Sequence, residues 1–123
     1  MHGAVNEIDP FHEAYSGTEQ LERQELQRAV EEEYNVTINY EPYPPSAAWG
    51  PSRISAIIQS SVSGDHLSDI YWVVSDWIQQ LVEGDAITDV SSYLQTTGTN
   101  IDPVYQDVGG YQGGMYGFES FKV

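Results

Sequence analysis

Ile70-Tyr71-Trp72-Val73-Val74 is the stretch on which the reading of the fold turns. It is short, wholly apolar, β-branched and aromatic, which fits a strand buried on both faces of a parallel sheet. Turn residues Asp65 to Ser68 precede it. Ser75 behind it can cap a helix that carries Ile78, Leu81 and Val82 inward and stops at Gly84. Upstream, Pro51 suits the first turn of another helix, with Ile54, Ile57, Ile58 and Val62 on one face and Gly64 as its end.

Further upstream, Val36, Ile38 and Tyr40 alternate with Thr37, Asn39 and Glu41, the two-residue period of a strand. The helix before it opens near Ser16-Gly17-Thr18-Glu19, turns Leu26, Ala29, Val30 and Tyr34 to one side, and closes at Asn35. Between that strand and the Pro51 helix, Pro42-Tyr43-Pro44-Pro45 demands an irregular connection. Downstream, Asp102-Pro103 opens a short helix ending at Gly109-Gly110. Tyr111 to Tyr116 then reads as a tight hairpin in which Gly113-Gly114 supplies positive φ angles.

This order predicts an α/β fold: a mostly parallel sheet with helices on both faces and right-handed crossovers. Strands at about Val36 to Glu41 and Ile70 to Val74 should run parallel and adjacent to a first strand, for which only Met1 to Val5 are available. No internal repeat, low-complexity tract or linker interrupts the pattern.

Of the 123 residues, 40% are hydrophobic and 19% charged, which reads as globular. Nineteen acidic residues against four Lys plus Arg leave a formal net charge of -15. Such a surface repels nucleic-acid phosphates and anionic lipid headgroups, so neither is an expected partner. No apolar run approaches a membrane span, and no export signal precedes the first helix. The acidity suits either an ordinary secreted protein or one adapted to high salt, where ions screen self-repulsion. With no cysteine, disulfides and thiolate metal sites are excluded.

Several motifs, taken in order, resemble the extracellular solute-binding proteins of ABC importers, most closely the carbohydrate-type branch. The series is Asn6-Glu7-Ile8-Asp9-Pro10-Phe11, Tyr34-Asn35-Val36-Thr37-Ile38, Ser63-Gly64-Asp65-His66-Leu67-Ser68-Asp69-Ile70-Tyr71-Trp72, Gly84-Asp85-Ala86-Ile87-Thr88-Asp89-Val90 and Gly113-Gly114-Met115-Tyr116-Gly117-Phe118. The resemblance implies a periplasmic-binding-protein-like lobe, extracytoplasmic, that holds a small-molecule solute and delivers it to an ABC permease. Members of that family are longer and two-lobed. The expectation is therefore that residues 1–123 are an incomplete first lobe without its second, which alone binds sugar weakly or not at all.

In open parallel sheets ligands sit beyond the carboxyl ends of the strands. That rule points to Asn6, Glu7 and Asp9 after the first strand, Tyr43 after the second, and Asp76 and Trp77 after the third. Sugars stack on planar apolar rings and bond to neighbouring carboxylates and amides, so Asp76 with Trp77 is the leading pair. Trp49 fits either a stacking ring or a staple for the second helix, while Trp72 in the apolar run fits the core. Glu119, at the far end of the resembling stretch, joins the candidate ligand-binding residues.

Neither catalysis nor a cofactor is expected. The Glu31-Glu32-Glu33 run reads as a solvated helix end. His2, His12 and His66 stand at no metal-ligand spacing. Asp9 with Glu13 and Asp65 with Asp69 resemble turn and capping carboxylates more than a glycosidase pair, and no nucleophile elbow, phosphate loop or dinucleotide fingerprint is present. Asn35-Val36-Thr37 is a glycosylation sequon of a kind common by chance. Two other classes stay open, a fragment of an α/β enzyme and an interaction or structural module with no transport role.

Overall fold

The computed structural model of the protein describes residues 1–119. It divides into two compact units, one made of Met1–Pro44 with Ser68–Trp72, the other of 45–67 with 73–119.

The first unit holds a one-turn helix α1 (Val5–Ile8) and the long helix α2 (Gln20–Tyr34). As its sequence predicts, α2 closes on Asn35, which takes the left-handed conformation at φ 51°. Its start differs, with Glu19 left-handed and no side-chain cap from Ser16 or Thr18. Its orientation differs more. Leu26 (67% exposed), Val30 and Tyr34 face water. The underside is polar instead: the Gln20 and Gln24 amides both donate to the Pro10 carbonyl, at 3.0 and 2.7 Å. Arg28 lies over the Phe11 ring at 4.9 Å.

The mostly parallel sheet is not formed, and this corrects the α/β lobe expected from the sequence. Among the described residues the only paired strands are β1 (Gly110–Tyr111) and β2 (Gly114–Met115), and they run antiparallel. Neither predicted strand exists as such, and the reason is a shortage of partners. The Ile38 N–H is taken by the Glu31 carboxylate at 2.8 Å instead of by a neighbouring strand. Ile70, expected to be buried on both faces, is 70% exposed.

What survives is a trace of parallel pairing. His2 N–H donates to Glu41 O, and Tyr43 N–H donates to His2 O. On the other side the Met1 amino group donates to Ile70 O at 2.7 Å, and Trp72 N–H returns to Met1 O at 2.9 Å. Each flank therefore engages one residue before the chain turns into α1, too little for a ladder.

The second unit contains the apolar interior. Pro51 opens α3 (Pro51–Ser63), and Gly64 ends it at φ 78°, a conformation that glycine adopts without a Cβ clash. Ile54 and Ile57 point inward from α3. Ile78 and Leu81 meet them from α4 (Ile78–Glu83), which follows a 3₁₀ turn at Ser75–Trp77. The two helices approach closely at Gly84, where a Cβ would lie 2.8 Å from the Ile58 side chain.

Helix α5 (Ser91–Thr96), which the sequence reading left unassigned, adds the buried Leu94. Helix α6 (Pro103–Asp107) begins where Asp102-Pro103 predicts, the Asp102 side chain accepting from Val104 N–H at 3.0 Å. The β1–β2 hairpin also forms, one residue out of register: its two positive-φ positions are Gln112 and Gly113, not Gly113 and Gly114.

Candidate functional site

An aromatic platform stands at the head of α3. Trp77 is buried at the end of its 3₁₀ turn. The Trp49 ring rests on it with centroids 4.8 Å apart and planes tilted by 53°. Trp49 nevertheless remains 68% exposed. Arg53, one turn into α3, brings its guanidinium carbon 5.6 Å from the Trp49 ring centre and is itself buried. Its Nε–H donates to Ala47 O at 2.9 Å, which fixes the guanidinium beside the ring. Ala47 belongs to the 3₁₀ turn Pro45–Ala47 and is fully buried. Trp49 is thus an exposed indole propped from within by a second indole and a pinned cation.

The structure brings Trp49 and Trp77 together, the two candidate tryptophans. Asp76 neighbours Trp77 in the same turn, with its carboxylate exposed. Glu119 is exposed and bonds through its backbone N–H to Tyr105 O at 2.7 Å, near the end of the described residues. The sequence reading missed Arg53. Trp49 lies before the Gly50 cap and outside α3, so helical spacing does not pair the two residues and gave no signal.

The remaining candidates lie in the first unit and do not converge. Asn6 Nδ2 donates to Ser16 Oγ at 3.3 Å, and Glu7 is exposed on the single turn of α1. Tyr43 is buried, stacks on Tyr71 at 6.4 Å, and donates its hydroxyl proton to Trp72 O at 2.8 Å, so its visible work is packing. Trp72, expected in the core, is exposed and meets the His2 ring edge-on at 5.4 Å.

Asp9 lines a cleft, an open depression of about 610 Å³. Phe11, Gln27, Arg28, Glu31 and the extended residues 38–41 complete its wall. Within it the Tyr40 phenol is harder to ionise than usual, first because it is partly buried and then because Asp9 and Glu31 carry negative charge nearby. Among the described residues no group of three or more His, Asp or Glu side chains could hold a metal ion.

Comparison with protein-family models, with curated proteins and with solved structures finds no match to this chain.

Proposed function

We propose that this chain is the carbohydrate-recognising part of a solute-binding protein that serves an ABC importer outside the cytoplasm, and that it binds without catalysing. The observation that carries the reading is Trp49, a large apolar ring held outward on Trp77 and Arg53. Sugars present flat C–H faces that stack on such a ring, and a ring already fixed in place loses little freedom on binding. Asp76 next to Trp77 offers a carboxylate to sugar hydroxyl protons. The importer role rests on the ordered motifs from Asn6 to Phe118. One platform in an open surface leaves much of a sugar in water, so affinity should be about millimolar.

Titrating mono- and oligosaccharides while following the Trp49 and Trp77 indole N–H groups and the Gly50 and Arg53 backbone amides by NMR tests this. A saturable shift of these signals with at least one sugar, with the Trp77, Gly50 and Arg53 response lost in Trp49→Ala, is the expected result. If no sugar moves these signals up to its solubility limit, the carbohydrate reading is wrong. A second reading has its own observation: Leu26, Val30 and Tyr34 form an exposed apolar row along α2, which suits an interaction module. That module would bind protein through α2 and leave Trp49 unmoved by sugars.

A further inference from the structure

The turn that closes α2 carries a pattern to which the tryptophan platform gives no role. Glu33-Tyr34-Asn35-Val36-Thr37 places an acid two residues before an asparagine and a hydroxyl two residues after it. Its last three residues are the sequon for N-linked glycosylation, whose middle position excludes proline. Asn6, Asn39 and Asn100 lack a Ser or Thr two positions on, so Asn35 is the one asparagine of the sequence that sits in a sequon. Three residues recur by chance, and the case depends on how the structure presents them.

Asn35, Val36 and Thr37 are all exposed. Asn35 ends the helix in the left-handed conformation, φ 51° and ψ 51°, which asparagine adopts at small cost. Its backbone N–H donates to Glu31 O. Among the described residues its side-chain amide and the Thr37 hydroxyl have no hydrogen-bond partner. Residues 36–41 belong to no helix or strand ladder. Two bonds tie down this side of the sequon, from Val36 N–H to Glu31 O at 3.0 Å and from Ile38 N–H to the Glu31 carboxylate at 2.8 Å. A transferase can therefore draw the segment into its own groove without breaking a sheet. Glu33, also exposed, gives a basic groove a charge to hold.

We propose that Asn35 is an acceptor for N-linked glycosylation on the folded chain, with an oligosaccharide on a lipid pyrophosphate as the donor. The Asn35 side-chain nitrogen attacks the anomeric carbon of the first sugar. A C–N bond forms there as the C–O bond to phosphate breaks. The lipid pyrophosphate leaves with that electron pair, and the amide nitrogen gives one proton to a base of the transferase. A glycan at this point covers Tyr34 and Val36, apolar side chains exposed on either side of the acceptor. The chain meets such a donor only outside the cytoplasm, so the natural modification rests on the placement proposed above. The reaction with purified components does not, and it is independent of Trp49, so the two readings can fail separately.

The test incubates the folded full chain with a purified single-subunit oligosaccharyltransferase and a polyprenyl-pyrophosphate oligosaccharide, and reads the intact mass. The expected result is a gain of one oligosaccharide, mapped to Asn35 by peptide mass spectrometry. Asn35→Gln should abolish it. Thr37→Val keeps the side-chain shape without the hydroxyl and should abolish it too, whereas Thr37→Ser should retain it. A short acceptor peptide in the same reaction shows that the enzyme is active. The proposal is overturned if the peptide is glycosylated and the folded chain is not, or if Thr37→Val accepts the glycan as fully as the native chain.

Discussion

The unit built from 45–67 and 73–119 buries Ile54, Ile57, Ile78, Leu81 and Leu94, whereas the unit of Met1–Pro44 and Ser68–Trp72 buries one large apolar side chain, Tyr43. The first-named unit is held by removal of hydrocarbon from water. The other is held by polar groups that meet backbone atoms: two glutamine amides on Pro10 O, a glutamate on Ile38 N–H, a tyrosine hydroxyl on Trp72 O. Each of those bonds replaces a bond to water and contributes about 1 kcal/mol net. Two halves of one chain therefore owe their order to forces of different size, and substitutions should expose the difference.

The largest effect should come from Ile57→Ala or Leu81→Ala, because both side chains are fully buried. Each should destabilise by about 2–5 kcal/mol in urea denaturation, the cost of lost burial plus a cavity. Leu26→Ala on the exposed row of α2 should stay within about 0.5 kcal/mol. Similar costs for Leu26 and Leu81 would break the comparison, since they would mean that the α2 row is covered in solution.

Tyr43→Phe sharpens the polar side of the contrast. It keeps the ring stacked on Tyr71 and leaves Trp72 O without its donor, at a cost of about 1 kcal/mol. No change in the denaturation midpoint would show that this bond contributes nothing.

Salt should act unevenly. Helix α2 carries Glu22, Glu25, Glu31, Glu32 and Glu33 against Arg23 and Arg28. Shrinking the Debye length from about 10 Å at 0.1 M to about 3 Å at 1 M should relieve repulsion there. Hydrogen exchange of α2 amides should slow with added sodium chloride more than that of α3 amides. Equal slowing in both helices would remove charge as the distinguishing factor.

The smallest effect concerns Asp89, which ties α5 to β2. The Ser91 hydroxyl first, then the Ser91 and Met115 N–H groups, donate to its carboxylate and hold its pKa below the ordinary 3.8. A lowered folded-state pKa adds stability above the unfolded value, and that stability disappears as pH falls through the lowered value. The stability gap between the native chain and Asp89→Asn should be constant near neutrality and narrow below about pH 4. A gap that widens in acid would reverse the sign of this account.

The parts legible in the sequence are those whose signals are answered within a few residues. Pro51 and Gly64 bound α3, Asn35 ends α2, and Asp102-Pro103 starts α6, because caps and left-handed stops act locally. The strands failed for the opposite reason. Alternation at Val36 to Glu41 and the apolar run at Ile70 to Val74 describe residues that suit a sheet, but a sheet also needs neighbours in register. Here Met1 and His2 are the neighbours, and each serves one flank. Periodicity on α2 misled in the same way, since it identifies the side that favours leaving water and not whether anything covers it.

At the candidate site, Trp49 and Trp77 were readable as residue types, and their contact was not. Arg53 escaped because its placement depends on Ala47 O, supplied by a 3₁₀ turn with no strong sequence signature. The cleft escaped because polar residues facing inward from α2 look, in sequence, like a solvated face.

The central claim is that Trp49 is a binding ring and not a structural one, and Trp49→Ala tests it with two readouts on one sample. Because Trp49 is 68% exposed, the variant should lose less than about 1 kcal/mol of stability while losing the NMR response to carbohydrate entirely. A variant that unfolds with a loss of about 3 kcal/mol or more, in the range of a core tryptophan, or one that keeps the native carbohydrate response, would contradict the account.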